Sequence, residues 1–231
     1  MKDPGIKSMW INDTDITDHG AIVESFKVGG TMVSTEVFQG RNRTNFNILS
    51  SVFGRRAISV NLFFRGKTRR EVALNKSVLD GMMTGKIELF LPDGFHYTAY
   101  LTSAGEAQLI GVDGNEVISL STYTFEGVRH DELVTHRGNT IYCKSTVPST
   151  DCRLTCKASQ ARASITIGTV TITGVAKNDV LVVDGINGRI LQNGAPCAGN
   201  MSFLHFPALV PGENTLSCPE TLTVEYYPTY I

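Results

Sequence analysis

Three aspartates, Asp13, Asp15 and Asp18, stand close enough to begin a calcium loop, which gathers carboxylate oxygens at alternate positions. The glycine and closing glutamate of such a loop do not follow at the required spacing, so these residues read as a solvated turn. A second set, His130, His136, Cys143, Cys152 and Cys156, offers the nitrogen and sulfur donors that zinc takes. Cys152, Leu154, Cys156 and Ala158 alternate with Arg153, Thr155 and Lys157, so in a strand both thiols face one way, about 13 Å apart. That separation excludes a mutual disulfide and a shared tetrahedral ion, and the two thiols read as small core residues. No CxxC spacing occurs anywhere in the chain.

Nucleophilic catalysis has no foothold either. There is no G-x-S-x-G elbow, and the glycines between Asp184 and Gly194 lie between strands, with no helix start behind them to hold a phosphate. Glu126, Asp131 and Glu132 cluster in sequence near the end of the first domain, but no motif assigns them acid or base roles. The expectation is a protein that is not an enzyme and needs no cofactor or metal.

The elements around these residues are mostly strands. Ile58, Val60, Leu62 and Phe64 alternate with Ser59, Asn61, Phe63 and Arg65, the period of two that marks a strand with one buried face. Similar segments run from Ala21 to Phe26, Lys86 to Leu91, His96 to Leu101 and Val117 to Phe125, punctuated by Gly29-Gly30, Pro92-Asp93-Gly94 and Asp113-Gly114-Asn115 as tight turns. One helix is expected after Thr68, where Thr68 and Glu71 form a capping box and Val72, Val78, Leu79, Met82 and Met83 supply an apolar stripe before Gly85. Beyond His136-Arg137-Gly138-Asn139 only short strands and turns follow. Ile165 to Thr173 changes its apolar phase at Gly168, which reads as a bulge or bend, and Val180–Val183, a turn over Asp184–Gly188 and Arg189–Leu191 read as a hairpin. Strands at this spacing argue for an antiparallel sandwich.

The composition is that of a folded chain: 231 residues, 42% hydrophobic and 19% charged. No stretch near Met1 resembles a signal peptide and the longest aliphatic run, Val180–Val183, is far too short to span a bilayer, so neither export nor membrane insertion is expected. The net charge of −1 conceals an asymmetry. Between Val37 and Arg70 lie eight basic residues, among them Arg41, Arg43, Arg55 and Arg56, and no acidic one, which leaves −9 for the rest. A molecule divided in this way can pair head to tail with copies of itself, and these four arginines are the candidate inter-subunit or partner contacts; the alternative reading of the stretch is a solvated basic face that serves solubility alone.

The C-terminal stretch is the most specific text: Val180-Leu181-Val182-Val183-Asp184-Gly185, Asn193-Gly194, Phe206-Pro207-Ala208-Leu209-Val210-Pro211-Gly212-Glu213-Asn214-Thr215, and Val224-Glu225-Tyr226-Tyr227-Pro228-Thr229-Tyr230. It resembles the second domain of phage distal tail proteins. Met9-Trp10-Ile11-Asn12, Asp15-Ile16-Thr17 and the helix leading into Leu91-Pro92-Asp93-Gly94 resemble the first domain of the same family. Thr229 departs from it, standing where relatives often carry an arginine.

This resemblance implies a mainly β chain. Residues 1–137 would form a tail-tube-like domain with one helix that closes into a homo-hexameric ring, and 138–231 a galectin-like antiparallel β-sandwich. The implied partners are the tail tube protein and a tail-tip, baseplate or receptor-binding protein, with no membrane and no sequence-specific nucleic acid. The implied setting is a virion tail assembled in the host cytoplasm, where the five cysteines stay reduced. The alternative is a carbohydrate-binding adhesin module, since a galectin-like sandwich can host a sugar site; Trp10 lies in the other domain, which leaves Tyr142, Tyr226, Tyr227 and Tyr230 as stacking platforms.

Overall fold

The computed structural model describes residues 8–41, 44–197 and 199–231, and builds them into antiparallel strands around two separate hydrophobic cores. The chain divides into one unit ending at His130 and taking in Ile231, and a second unit, Asp131–Tyr230.

The first unit contains β1 (Trp10–Ile11), β2 (Thr14–Asp15), β3 (Ala21–Gln39), β4 (Phe46–Gly66), α1 (Arg69–Met82), β5 (Ile87–Phe90), β6 (His96–Ala104), β7 (Gln108–Asp113) and β8 (Glu116–His130). Its sheet runs β2-β1-β5-β6-β8-β4-β3, and β7 also pairs with β8. The alternation read in β4 is realised: Ile58, Val60, Leu62 and Phe64 are all fully buried, and Tyr123 and Phe125 of β8 lie in the same core. The helix begins with Thr68 as its cap, while the Glu71 carboxylate reaches one residue beyond the cap's own N–H. Glu71 N–H donates to Thr68 Oγ1 at 3.1 Å, and Glu71 Oε2 accepts from Lys67 N–H at 2.8 Å. Val72, Leu79 and Met83 face the core, but Val78, expected on that stripe, is half exposed, because a helical turn of 3.6 residues carries it off the face that Leu79 occupies. Gly29-Gly30 is not a turn either. It lies inside β3, at a register irregularity between Val28 and Thr31, so the strand continues through it as a bulge.

The second unit contains β9 (Val134–Arg137), β10 (Thr140–Cys143), β11 (Thr150–Lys157), β12 (Arg162–Ile167), β13 (Val170–Val175), β14 (Val180–Asp184), β15 (Arg189–Gln192), β16 (Ala195–Pro196), β17 (Met201–Phe203), β18 (Ala208–Leu209), β19 (Gly212–Thr215) and β20 (Thr223–Tyr226). A seven-stranded sheet in the order β16-β15-β14-β11-β20-β9, with β18 on β11, accompanies a three-stranded sheet, β12-β13-β17, and the pair β10-β19. Val134–Arg137, which precede the expected boundary at 137, pair with β20. Cys152, Leu154, Cys156 and Ala158 are buried together, as their alternation required. The phase change at Gly168 proves to be a hairpin turn rather than a bend in one strand: β12 and β13 pair from Ile167 and Val170 outward, and Gly168 adopts a φ of +61°.

Two turns show how side chains fix this unit. Asn214 Oδ1 accepts from Val210 N–H at 2.9 Å while its amide donates to the Val210 and Gly212 carbonyls, locking the Pro211-Gly212 reversal. Asn139 donates to the carbonyls of Cys218 (2.9 Å) and Glu220 (3.0 Å) and accepts from Leu222 N–H (2.9 Å). Asn139→Ala removes three bonds from a part-buried junction. It should lower the unfolding free energy by about 2 kcal/mol, read as a lower urea midpoint.

Candidate assembly surface

The sequence makes β3 and β4 far longer than the sheet they serve. The ladder between β4 and β8 ends at Arg56, yet β4 continues to Phe46 with β3 beside it, pairing Val33 with Phe53, Val37 with Ile48 and Gln39 with Phe46. At about 3.3 Å per residue this is a two-stranded arm roughly 33 Å long. Every residue of Met32–Gln39 and of 46–55 is exposed, so both faces of the arm are wet. Nine of them are large and apolar: Met32, Val33, Val37, Phe38, Phe46, Ile48, Leu49, Val52 and Phe53, between 39% and 61% exposed. A two-stranded ribbon is marginal in water by itself, and an apolar area of this extent marks a surface made to be covered. The β7–β8 hairpin adds Leu109, Ile110 and Val112, the last 68% exposed.

The candidate arginines fall at opposite ends of the arm. Arg41 is exposed at its tip; Arg43 lies outside the described residues. At the base, the Arg55 guanidinium sits over the Tyr100 ring, 5.4 Å from its centroid, and the Tyr100 hydroxyl donates to Glu126. Arg56 donates to the Gly29 carbonyl at 2.9 Å and is half buried. Arg56 thus holds the bulge at the root of the arm, while Arg41 and Arg55 are exposed.

The other candidate sites resolve into structural roles. Asp15 Oδ1 caps a short 3-10 turn, accepting from Thr17 N–H and from the hydroxyls of Ser8 and Thr17. Burial raises the proton affinity of that carboxyl, but these donors outweigh it and hold the group below the ordinary carboxylate range. Among the described residues no group of three or more His, Cys, Asp or Glu is placed to hold a metal. Asp131 accepts from the Tyr230 hydroxyl at 2.5 Å. Tyr226, a proposed sugar platform, is wholly buried; its hydroxyl accepts from Lys144 N–H at 3.1 Å, so it cannot stack on a sugar. Tyr142 is 71% exposed and Tyr227 36%. An open cleft of about 650 Å³ lies in the second unit between Asp151, Thr169, His205, Phe206 and Ser217.

No family model matches the chain, and no curated protein matches it. Solved structures do. The SPP1 Dit protein, described as a paradigm of the hub adsorption apparatus in phages infecting Gram-positive hosts, superposes with a TM-score of 0.75 at 12% identity, over 97% of this chain and 99% of that one. The chain has the fold of a phage tail hub protein. Chains of the phage P2 baseplate in its activated conformation are similar as well: with Ca at TM-score 0.57 and 8% identity, covering 95% of this chain and 97% of the other, and with Sr at 0.59 and 8%, covering 96% and 98%. The hub fold is thus matched along nearly the whole chain, through both units, while few residues are shared. Sequence reasoning missed the arm as an element. The one signal over it was the basic stretch without acids from Val37 to Arg70, whose first half covers the arm's tip and second strand.

Proposed function

We propose that the chain is a structural component of a phage-type tail, forming a ring of six copies at the distal end and joining the tail tube to the tail-tip or host-adsorption apparatus. The observation that carries this reading is the arm: nine exposed apolar residues on a ribbon wet on both faces, in a hub fold. A contact in which one copy's arm covers a different surface of the next copy is heterologous, and its repetition makes a ring when the rotation between neighbours closes and an open filament when it does not. The positive charge of residues 37–70 against the −9 of the remainder steers the copies into that register. DNA is the weaker partner for these arginines. A channel through which DNA slides is hindered by each phosphate it neutralises, because counterion release makes every such contact attractive and salt-sensitive.

The charge contribution is tested with Arg41→Glu/Arg55→Glu, which spares Arg56 and the bulge it holds. Sedimentation velocity should show the wild-type assembly loosening as salt approaches ~1 M, where screening falls to about 3 Å, and the variant dissociated even at low salt. Normal assembly of the variant at every salt concentration, together with lost affinity for DNA, contradicts the protein-contact reading. The adhesin alternative makes a different forecast: a monomer that binds glycans on an array and loses them with Phe206→Ala in the cleft.

A further inference from the structure

The cleft of the second unit is built from three chain segments that other bonds hold in place. One is the turn between β12 and β13, with Gly168 and Thr169; another runs from His205 into β18; the third follows β19, through Leu216 and Ser217. Gly168 N–H donates to the Ser217 carbonyl at 2.8 Å, and Thr169 Oγ1 donates to the His205 carbonyl at 2.8 Å. Ala208 pairs with Asp151 where β18 meets β11, and the Cys152 thiol donates to the Pro207 carbonyl at 3.4 Å. Gly168 packs so close to the second segment that a Cβ there would stand 3.1 Å from Pro207 Cβ. The space of about 650 Å³ between these segments is therefore formed before any ligand arrives, and its size is that of a small-ligand site.

The walls set hydrogen-bond acceptors beside a carbon surface. Thr169 has given its proton to a carbonyl, so its oxygen is left to accept. His205 Nδ1 lies 3.0 Å from the Phe206 carbonyl, which only accepts, so Nδ1 carries the proton and Nε2 of the neutral ring is an acceptor. Asp151 adds a carboxylate, and Thr169, His205 and Asp151 are all exposed. On the apolar side Phe206 is half buried, its ring held against that of Phe203 with 5.2 Å between centroids. Among the described residues no lysine or arginine lines the cleft, and the stretch between Arg189 and Glu213, which supplies one wall, holds no charged residue.

We infer that this cleft binds a neutral saccharide. The hydroxyls of a sugar donate to the acceptors of the wall, and its C–H face lies on Phe206, where weakly positive hydrogens meet the negative face of the ring. The two oxygens of Asp151 accept from neighbouring hydroxyls of one sugar. The same carboxylate repels phosphate, uronate and sialate groups, and with no basic side chain on the wall nothing offsets the cost of drying their charge. Such a site sits as well on a ring as on a monomer, so it adds a ligand to the hub without depending on the oligomeric state.

The test places the whole chain on an array of neutral and acidic glycans, then titrates it in a calorimeter with the neutral oligosaccharide retained most strongly. Neutral glycans should be retained, and their sialylated or phosphorylated counterparts should bind about tenfold or more weakly. Asp151→Asn and His205→Ala change exposed side chains; each should weaken binding about tenfold and leave the thermal midpoint unchanged. Phe206→Leu, which keeps apolar bulk and removes the ring face, should weaken it as well. Sedimentation of the same samples reads assembly separately, so loss of the ring and loss of the sugar are told apart. An array that retains no neutral glycan, a preference for acidic glycans, or binding untouched by all three variants overturns the inference.

Discussion

Replacing Ile48, Val52 and Phe53 with threonine should leave the chain a folded monomer and abolish its assembly. All three stand on the arm with 39% to 61% of their surface in water, so the monomer loses little when they change; exposed substitutions of this kind fall within about 0.5 kcal/mol. Threonine keeps the β-propensity of the strand. The whole cost falls on the interface. Completing the burial of a half-exposed Ile, Val or Phe contributes about 1 kcal/mol, so three together weaken each joint by about 3 kcal/mol, or roughly a hundredfold. A ring multiplies that loss at every joint. Light scattering across a concentration series reads the result, with circular dichroism and the thermal midpoint as the folding control. A variant that assembles as well as the wild type would show that the arm is not the joint.

The second large effect is expected at Asp184, and it concerns stability. This carboxylate is fully buried at the end of β14. Oδ1 accepts from Asn187 N–H at 3.1 Å, Oδ2 accepts from Asn187 Nδ2 at 2.9 Å and Arg189 Nε at 3.0 Å, and Arg153 Nε lies 3.2 Å from Oδ2. Asp184→Ala removes an acceptor shared by Arg189 and Arg153 and the one that closes the Asp184–Gly188 turn; Arg189 is solvated and Arg153 keeps Glu225 at 3.4 Å, so the cost is that of the lost hydrogen bonds to a charged group, about 2–3 kcal/mol. Asp184→Asn keeps the shape and should cost less.

The pH dependence follows from the same contacts. Burial alone would raise the proton affinity of Asp184, but Asn187, Arg189 and Arg153 outweigh it, so the folded carboxyl titrates below its unfolded value. The unfolded chain therefore binds the extra proton first. The contribution of Asp184 is complete above about pH 4 and is lost as the pH falls through the folded value. Urea midpoints at neutral and acid pH should converge for wild type and Asp184→Asn as the pH drops. A constant gap between them at every pH would contradict the assignment.

Local signals were legible in the sequence and tertiary ones were not. Ile58 to Phe64 could be read because one face of the strand is buried and the other wetter, Thr68 and Glu71 because a cap acts over three residues, and Asp184-Gly185 because the carboxylate closes its own turn. The arm was hidden by the same physics. Val33, Val37, Ile48 and Val52 have no buried face in the chain itself, so no clean alternation marks them, and Gly29-Gly30 looked like the turn that ends a short strand. Tyr226 looked like a surface platform because a tyrosine-rich end carries no sign of which ring turns inward. The junction that Asn139 and Glu220 make between distant segments has no signature in spacing either.

The central claim is that copies of this chain build a closed ring, and electron micrographs of the purified wild-type protein, taken with its mass in solution, test it most directly. The account predicts uniform rings of six copies around an open channel, with a mass near six times that of the chain. A mass that stays monomeric at high concentration and low salt, with no rings in the images, would contradict it.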